Sequence, residues 1–386
     1  MWSRSHGMMT EVVHDDGGGA GPDRPIRVAY TLEQCWHDVP GGTAVAALEI
    51  ARELDRSVSE VELRFVAGRH PRPPAAAYRP ERPVAMLPLA RPLLYETWTR
   101  LNWPRVEAVT GEIDVAHATG LVPCGTVAPL VVTVHDVAFL HDPDKFSKHG
   151  VRVMRRSLDT ICRRADRVIC PSRATIDDCV DAGLDPSRLR LVPLGVRPSR
   201  VGEAEALRAR TAAGLPDDFV LFVGTLEPRK NLARLVDAMR LRGGNEPLVV
   251  VGADGWGDLG DIGNLGTSGD DVRFLGFLAD RELARLYAAA PVFAYPSERE
   301  GYGLPVAEAM AAGTAVVTSR GTSTEEVAGG AAVLVDPFDT ESIASGIDEA
   351  FDRRAELAAA GRARAGELTW GIAAQRTLDV YRELLP

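Results

Sequence analysis

In the stretch SEREGYGLPVAEAMAAG, residues 297–313, two glutamates stand eight positions apart with a Gly-x-Gly-x-Pro break between them. Tyr295-Pro296-Ser297 reads as the end of a strand, and Gly301, Gly303 and Pro305 hold the chain out of a helix until proline can occupy the first helical turn. That places Glu300 in a strand-to-helix loop and Glu308 in the first turn or so of a short helix stopped by Gly313. A helix start carries unpaired N–H groups and partial positive charge, which suits a phosphate. Carboxylates on either side of such a spot match a ligand with an anion in its middle and hydroxyls at both ends, the layout of a nucleotide sugar. Taken singly, each glutamate is better explained as a solvated acid. The glycines between them favour the ligand, because a loop that approaches one closely needs residues without a Cβ.

Two more stretches point the same way. LFVGTLEPRKNL, residues 221–232, runs as strand, a turn at Gly224 and Thr225, then Glu227, Pro228, Arg229 and Lys230 before a helix starting near Asn231. Adjacent cations at the carboxyl end of a strand suit a diphosphate, Lys230 as a point charge and Arg229 as a bidentate grip. Ordinary solvated loop charges are the alternative. In VVTVHDVAFL, His135 and Asp136 end an otherwise apolar strand, a place where α/β folds bind ligands. A structural histidine beside a turn-capping aspartate is the competing account.

The elements that must position these residues alternate in type. The first half begins with IRVAY (26–30), the glycine loop VPGGT and the amphipathic AVAALEIAREL. Further strands are expected at 61–66, 114–118, 129–136, 167–172 and 189–196. Polar sequence around 197–218 marks a junction, after which strands at 219–224, 247–252, 272–277, 292–297, 314–319 and 331–336 alternate with helices. Ser323-x-x-Glu326 reads as a capping box. The expected class is α/β with two Rossmann-like domains across a cleft. The expected organisation is a disordered tail at 1–25, an N-terminal domain at 26–198, a C-terminal domain at 199–368, and a final helix at 369–386 packed back on the first domain.

Composition narrows the function further. With 44 Lys and Arg against 54 Asp and Glu the net charge is −10, which argues against nucleic acid as the main partner. Five scattered cysteines without a C-x-x-C pair fit a reducing cytoplasm, and no apolar run has the length of a membrane span.

Together, the E-x7-E segment, the VGTLEPRKN turn, the VTVHD strand end and VPLGV before the junction resemble the family-4 retaining glycosyltransferases of GT-B architecture, from about Ile26 onward and in the family's order. The resemblance implies a catalytic set of His135, Glu300, Lys230 and Arg229. Glu300 would contact hydroxyls of the donor sugar, His135 would lie over that sugar, and Lys230 would pair with the diphosphate. Gly301, Tyr302, Gly303 and Leu304 would hold sugar and phosphates by their backbone, and Glu308 the ribose. Gly41 and Gly42 match the glycine loop that approaches the phosphates, and Gly224 with Thr225 forms the turn beside them. Main-chain groups near Phe277 would read the base. Thr225 stands where many members carry arginine, which raises the question whether Arg229 supplies that charge.

The implied reaction is retaining transfer of a hexose, with mannose from GDP-mannose favoured by the form of the VGTLEPRKN turn. It needs no metal or other cofactor, and the acceptor is a glycan or lipid-linked sugar met by the first domain. Neither glutamate is expected to act as a covalent nucleophile; the leaving phosphate helps take the acceptor proton. The D-x-D spacing of Asp142 and Asp144 reads as a turn rather than a metal site. Trp98 and Trp103 with Arg100 and Arg105 suggest peripheral contact with the inner face of a membrane, against a packed helix with snorkelling arginines. A dehydrogenase is disfavoured because G-x-G-x-x-G is absent after the first strand of either half. A non-catalytic nucleotide-sugar binding protein and a GT-B epimerase remain as alternatives.

Overall fold

Runs such as LVVV and VLFV are apolar at every position, the mark of strands buried on both faces. The computed structural model describes residues 24–37, 40–57, 59–143, 146–252 and 272–385. Within these, such runs form two all-parallel sheets. The first contains β1 (Ile26–Thr31), β2 (Val61–Ala67), β3 (Ala85–Met86), β4 (Val115–Ala118), β5 (Leu130–Thr133), β6 (Arg167–Cys170) and β7 (Leu189–Leu191) in the order β3-β2-β1-β4-β5-β6-β7. The second contains β8 (Val220–Val223), β9 (Leu248–Val251), β10 (Val272–Gly276), β11 (Val292–Tyr295), β12 (Ala315–Ser319) and β13 (Val333–Val335) in the order β10-β9-β8-β11-β12-β13. In each sheet the order reverses beside the first strand, so the loops after β1 and β4, and after β8 and β11, open at a switch point.

The chain crosses between the sheets twice, and the crossings lie side by side. Val196 N–H donates to Leu368 O at 2.8 Å, and a Cβ on Gly195 would lie 2.2 Å from Trp370 N. Beyond the second crossing, helix Trp370–Arg382 packs against helix Gly41–Leu54 of the first domain. Tyr381 Oη and His117 Nδ1 are 2.7 Å apart, with Thr133 Oγ1 2.8 Å from Nε2. Burial first, with His135 nearby, pushes His117 down to about 3, so the ring is neutral and works as a structural link. Glu383 adds ion pairs to Arg167 and Arg190.

Several local expectations change. Order starts before residue 26, because Arg24 grips Asp114 at 2.7 and 2.8 Å; the rest of the expected tail, residues 1–23, lies outside the described residues, as does Asp144. β7 stops at Leu191, since 192–196 turns away to cross between domains. The capping box sits one residue earlier than read. Thr322 is the N-cap of helix Ser323–Ala328 and accepts from Thr324 N–H, while Glu325 accepts from Gly321 N–H. Trp98 is 1% exposed and donates Nε1–H to Pro104 O at 2.8 Å, which removes it from any membrane-facing surface.

Tyr381→Phe leaves His117 Nδ1 buried without its partner and is expected to lower stability by about 1–3 kcal/mol, read as a reduced urea midpoint with an unchanged slope.

Candidate active site

Adjacent strands bring the two cation- and carboxylate-bearing loops together. β8 pairs with β11, and the loops that follow are joined by backbone: Arg229 O accepts from Glu298 N–H at 2.8 Å and from Ser297 Oγ at 3.0 Å. Asn231, in the left-handed conformation at φ 64°, donates from Nδ2 to Pro296 O and Pro337 O, tying the turn to the ends of β11 and β13.

Glu300 is held on every side. Its carboxylate accepts from Tyr295 Oη at 2.8 Å and Ser297 Oγ at 3.1 Å, and pairs with Arg229 Nη1 at 2.8 Å. Burial opposes ionisation, but Arg229 and Lys230, with the bonds from Arg229 and Tyr295, hold the carboxyl below its usual range. Arg229 also pairs with Glu227 at 2.8 Å, and Glu227 accepts from Thr225 Oγ1 at 2.5 Å. The guanidinium expected to grip a diphosphate is therefore engaged by two carboxylates; its position suits the alignment of Glu300.

Lys230 is different. Its side chain is buried, folds back over Gly224 so that a Cβ there would lie 2.8 Å from Nζ, and places Nζ 5.6 Å from the centre of the Tyr295 ring. Among the described residues it has neither a hydrogen-bond acceptor nor an ion-pair partner for Nζ. An ammonium without a protein anion at the carboxyl end of a strand is free to meet the anion of a ligand.

Helix Leu304–Ala312 starts after Gly303, at φ 107°, with Pro305 in its first turn and no side-chain cap on its N–H groups. Glu308 is one turn in, later than expected, and accepts from Tyr287 Oη at 3.2 Å. Burial raises its carboxyl, the Tyr287 bond counteracts and Asp280 adds to the rise, leaving it pushed up to about 7. Tyr302 points its hydroxyl away from this loop, to Leu194 O in the VPLGV segment, so only its backbone faces the site. Phe277 lies in the loop after β10 and is 73% exposed.

The first domain meets this loop at His135. A Cβ on Gly301 would fall 2.0 Å from His135 O and 3.0 Å from Asp136 Cβ, so only glycine permits this approach. The His135 ring donates Nε2–H to Thr119 O at 3.2 Å, since a carbonyl only accepts; Nδ1 is the unprotonated nitrogen. Burial lowers its pKa, against the raising effects of the Thr119 bond and Asp136. Gly41 opens helix Gly41–Leu54 at φ 60°, and a Cβ on Gly42 would press on Leu304 Cδ1 at 3.2 Å. Two helix N-termini, Lys230, Glu300 and His135 thus converge where the carboxyl ends of the two sheets face each other. Ser172 and Thr175 were not singled out in the sequence, and Tyr295, Ser297 and Ser323 were read only as strand-end and capping residues. Their signal was weak: each is a small polar or aromatic residue ending a strand or opening a helix.

Two doubly wound domains with a lysine unpaired among the described residues and an anchored carboxylate at their junction have the architecture of a two-domain α/β enzyme with a ligand cleft between its sheets. Residues 40–200 match the family described as Glycosyltransferase Family 4, and residues 203–365 match Glycosyl transferases group 1. The chain is 33% identical over 267 residues to the O-antigen chain mannosyltransferase B of Escherichia coli, covering 66% of this chain and 70% of that protein. It is 30% identical over 399 residues to a D-inositol 3-phosphate glycosyltransferase of Acidothermus cellulolyticus, covering 89% and 86%. Among solved structures, Anabaena HepE in complex with UDP and glucose superimposes with a TM-score of 0.70 at 20% identity, over 93% of this chain and 100% of that one. Sucrose-phosphate synthase of Thermosynechococcus elongatus does so at 0.72 and 22%, over 94% and 99%. The chain belongs to the family-4 glycosyltransferases of GT-B fold and is mannosyltransferase-like.

Two outcomes follow from the geometry. Gly301→Ala forces the loop off His135 and is expected to lower turnover on the order of 100-fold, measured as nucleotide release at saturating donor. The Glu308 carboxyl binds its proton more tightly folded than at its ordinary 4.5, so its contribution to stability is full below that value and is lost as pH rises through about 7. Glu308→Gln is therefore expected to melt progressively higher than the wild type as pH is raised from about 5 to about 8, read from paired thermal melts.

Proposed function

We propose that this glycosyltransferase moves a hexose, with mannose from GDP-mannose as the favoured donor, to a hydroxyl of a glycan or lipid-linked sugar with retention at the anomeric carbon. The observation that carries this reading is the ammonium of Lys230, without a hydrogen-bond or ion-pair partner among the described residues, beside the anchored Glu300 carboxylate. The mannosyltransferase relative supports the choice of sugar.

In the proposed reaction the bond between the anomeric carbon and the diphosphate oxygen breaks, and the electron pair leaves with the phosphate. Charge develops on that oxygen, so Lys230 and the N–H groups opening helix Leu304–Ala312 stabilise the transition state more than the ground state. The acceptor oxygen bonds to the anomeric carbon from the same face, and its proton passes to the leaving phosphate. Glu300 is poorly suited to nucleophilic attack, because hydrogen bonds from Tyr295 and Ser297 and the charge of Arg229 lower the basicity of its oxygens while leaving room for a hydroxyl on Oε2. It serves to hold donor hydroxyls, and Glu308 to hold the ribose. Protein cations carry the charge in this scheme, and no metal takes part in a step.

The acceptor approaches from the first domain. There Trp103, Leu101 and Leu93 are exposed at 52, 69 and 55%, beside helix Lys148–Arg164 with Arg152, Arg155 and Arg163 on its outer face. Helix Leu93–Leu101 packs on that basic helix. We place the reaction in the cytoplasm, with this surface resting on an anionic inner membrane face. No helix among the described residues is long and apolar enough to cross a membrane.

Incubation with GDP-mannose, UDP-glucose, UDP-N-acetylglucosamine and a dTDP-sugar is expected to release nucleotide from GDP-mannose, with Lys230→Ala and Glu300→Ala each reducing release about 100-fold or more. Release from UDP-glucose instead would replace the donor. Tight GDP binding without release, even with acceptor extract present, would favour the binding-protein reading. Sedimentation with vesicles is expected to rise with phosphatidylglycerol content; indifference to anionic lipid removes the membrane contact.

A further inference from the structure

The peptide units around Glu300 are held from both domains. Ser323 Oγ donates to the carbonyl of Glu300 itself at 2.7 Å, from the helix Ser323–Ala328 of the donor domain. The next carbonyl, of Gly301, accepts from Ser172 Oγ at 2.7 Å and Thr175 Oγ1 at 3.1 Å, at the start of helix Arg173–Asp181 of the first domain. Ser172 and Thr175 are buried. Thr175 Oγ1 also lies 3.4 Å from His135 O, so the same hydroxyl touches the backbone of the histidine facing the donor loop.

Glu326 joins the two helices. It lies in Ser323–Ala328, but its carboxylate does not cap its own helix: Oε2 accepts from Arg173 N–H at 2.7 Å and Oε1 from Ala174 N–H at 2.8 Å. A carboxylate on the open N–H groups of a helix start is the arrangement the helix dipole favours, here supplied from the opposite domain. Its own main chain is fixed by Arg364, which donates to Glu326 O and Val327 O at 3.0 Å each. A second cross-domain link runs from Arg299, next to Glu300, to Asp178 at 3.0 and 3.1 Å, and Asp178 also meets His141 at 3.0 Å.

We propose that Glu326, Ser172 and Thr175 are positioning residues that make the alignment of Glu300 depend on closure of the two domains. With the domains apart, Ser323 still holds one carbonyl, but the Gly301 carbonyl loses both donors and the loop 297–303 is anchored at one end only. When they close, Glu326 docks on Arg173 and Ala174, the hydroxyls reach Gly301, and the loop becomes rigid against His135. The donor is bound by the second domain throughout; the working geometry for transfer is completed by the first, the domain that brings the acceptor. This rests on the reading of Glu300 as a donor-sugar residue.

The test uses the full chain and the variants Glu326→Ala, Glu326→Gln and Ser172→Ala, with three readouts. Amide hydrogen exchange over 297–303 is expected to rise about fivefold or more in Glu326→Ala. Nucleotide release from GDP-mannose is expected to lose about tenfold in kcat, while the Kd for GDP stays within about twofold. Glu326→Gln, which keeps an acceptor oxygen for one N–H, is expected to recover part of both. Unchanged exchange and kcat in Glu326→Ala and Ser172→Ala would overturn the proposal. So would a loss of GDP affinity equal to the loss of kcat, because that reports damage within the donor domain. Should the wild type release nucleotide from no sugar, the proposed reaction fails, and the exchange comparison alone decides whether the clamp exists.

Discussion

The ion pair between Arg229 and Glu300 is the contact around which the rest of the site is organised. Two charges removed from water cost several kcal/mol unless their geometry is good and their remaining bonding positions are filled. Here most are filled: Glu227 takes the other side of the guanidinium, and Tyr295 and Ser297 both donate to Oε1 of the carboxylate, while Oε2 meets Arg229 and keeps a position for a donor hydroxyl. Each of these residues lies in a loop after β8 or at the end of β11, and the network forms because those strands are neighbours. Lys230 is the remainder of this arithmetic, a cation with no carboxylate left to meet it. A diphosphate would complete the balance.

A site split between two domains also needs a way to come together and to part. The paired crossings at Val196 and Leu368 form a narrow connection, and the final helix anchors the chain end to the first domain through Tyr381 and Glu383. At the other end of the interface, around Gly301, hydroxyls, a carboxylate and an ion pair contribute to the contact. Polar contacts of this kind exchange readily for water, so they suit an interface that opens to admit donor and release nucleotide. Glycine at 301 lets the two backbones approach, and the hydroxyls then fix the distance.

Much of this frame was readable in advance. The largely apolar runs located twelve of the thirteen strands because strands buried on both faces are mostly apolar, and the loop chemistry of Lys230, Glu300 and His135 stood out against them. The two-residue β3 carries no pattern to detect. The capping register slipped by one because Thr322 and Ser323 are equally good caps by type, and only the backbone angles choose Thr322. Trp98 looked amphipathic beside Trp103, yet its indole N–H turns inward to the Pro104 carbonyl.

What the sequence by itself determined is the set of chemical groups and the strand ends that carry them, because apolar runs, glycines and prolines constrain the backbone locally. Tertiary structure decided which groups face one another. Arg229 and Lys230 are neighbours in the chain with nearly the same charge, and nothing local separates them; one is neutralised by Glu227 and Glu300, the other is left for a ligand. Glu326 likewise reads as part of its own helix and caps another, 153 residues away. Charge pairing and hydrogen bonding across sequence distances of this size depend on how two sheets are placed, and that placement is a property of the packed core rather than of any segment.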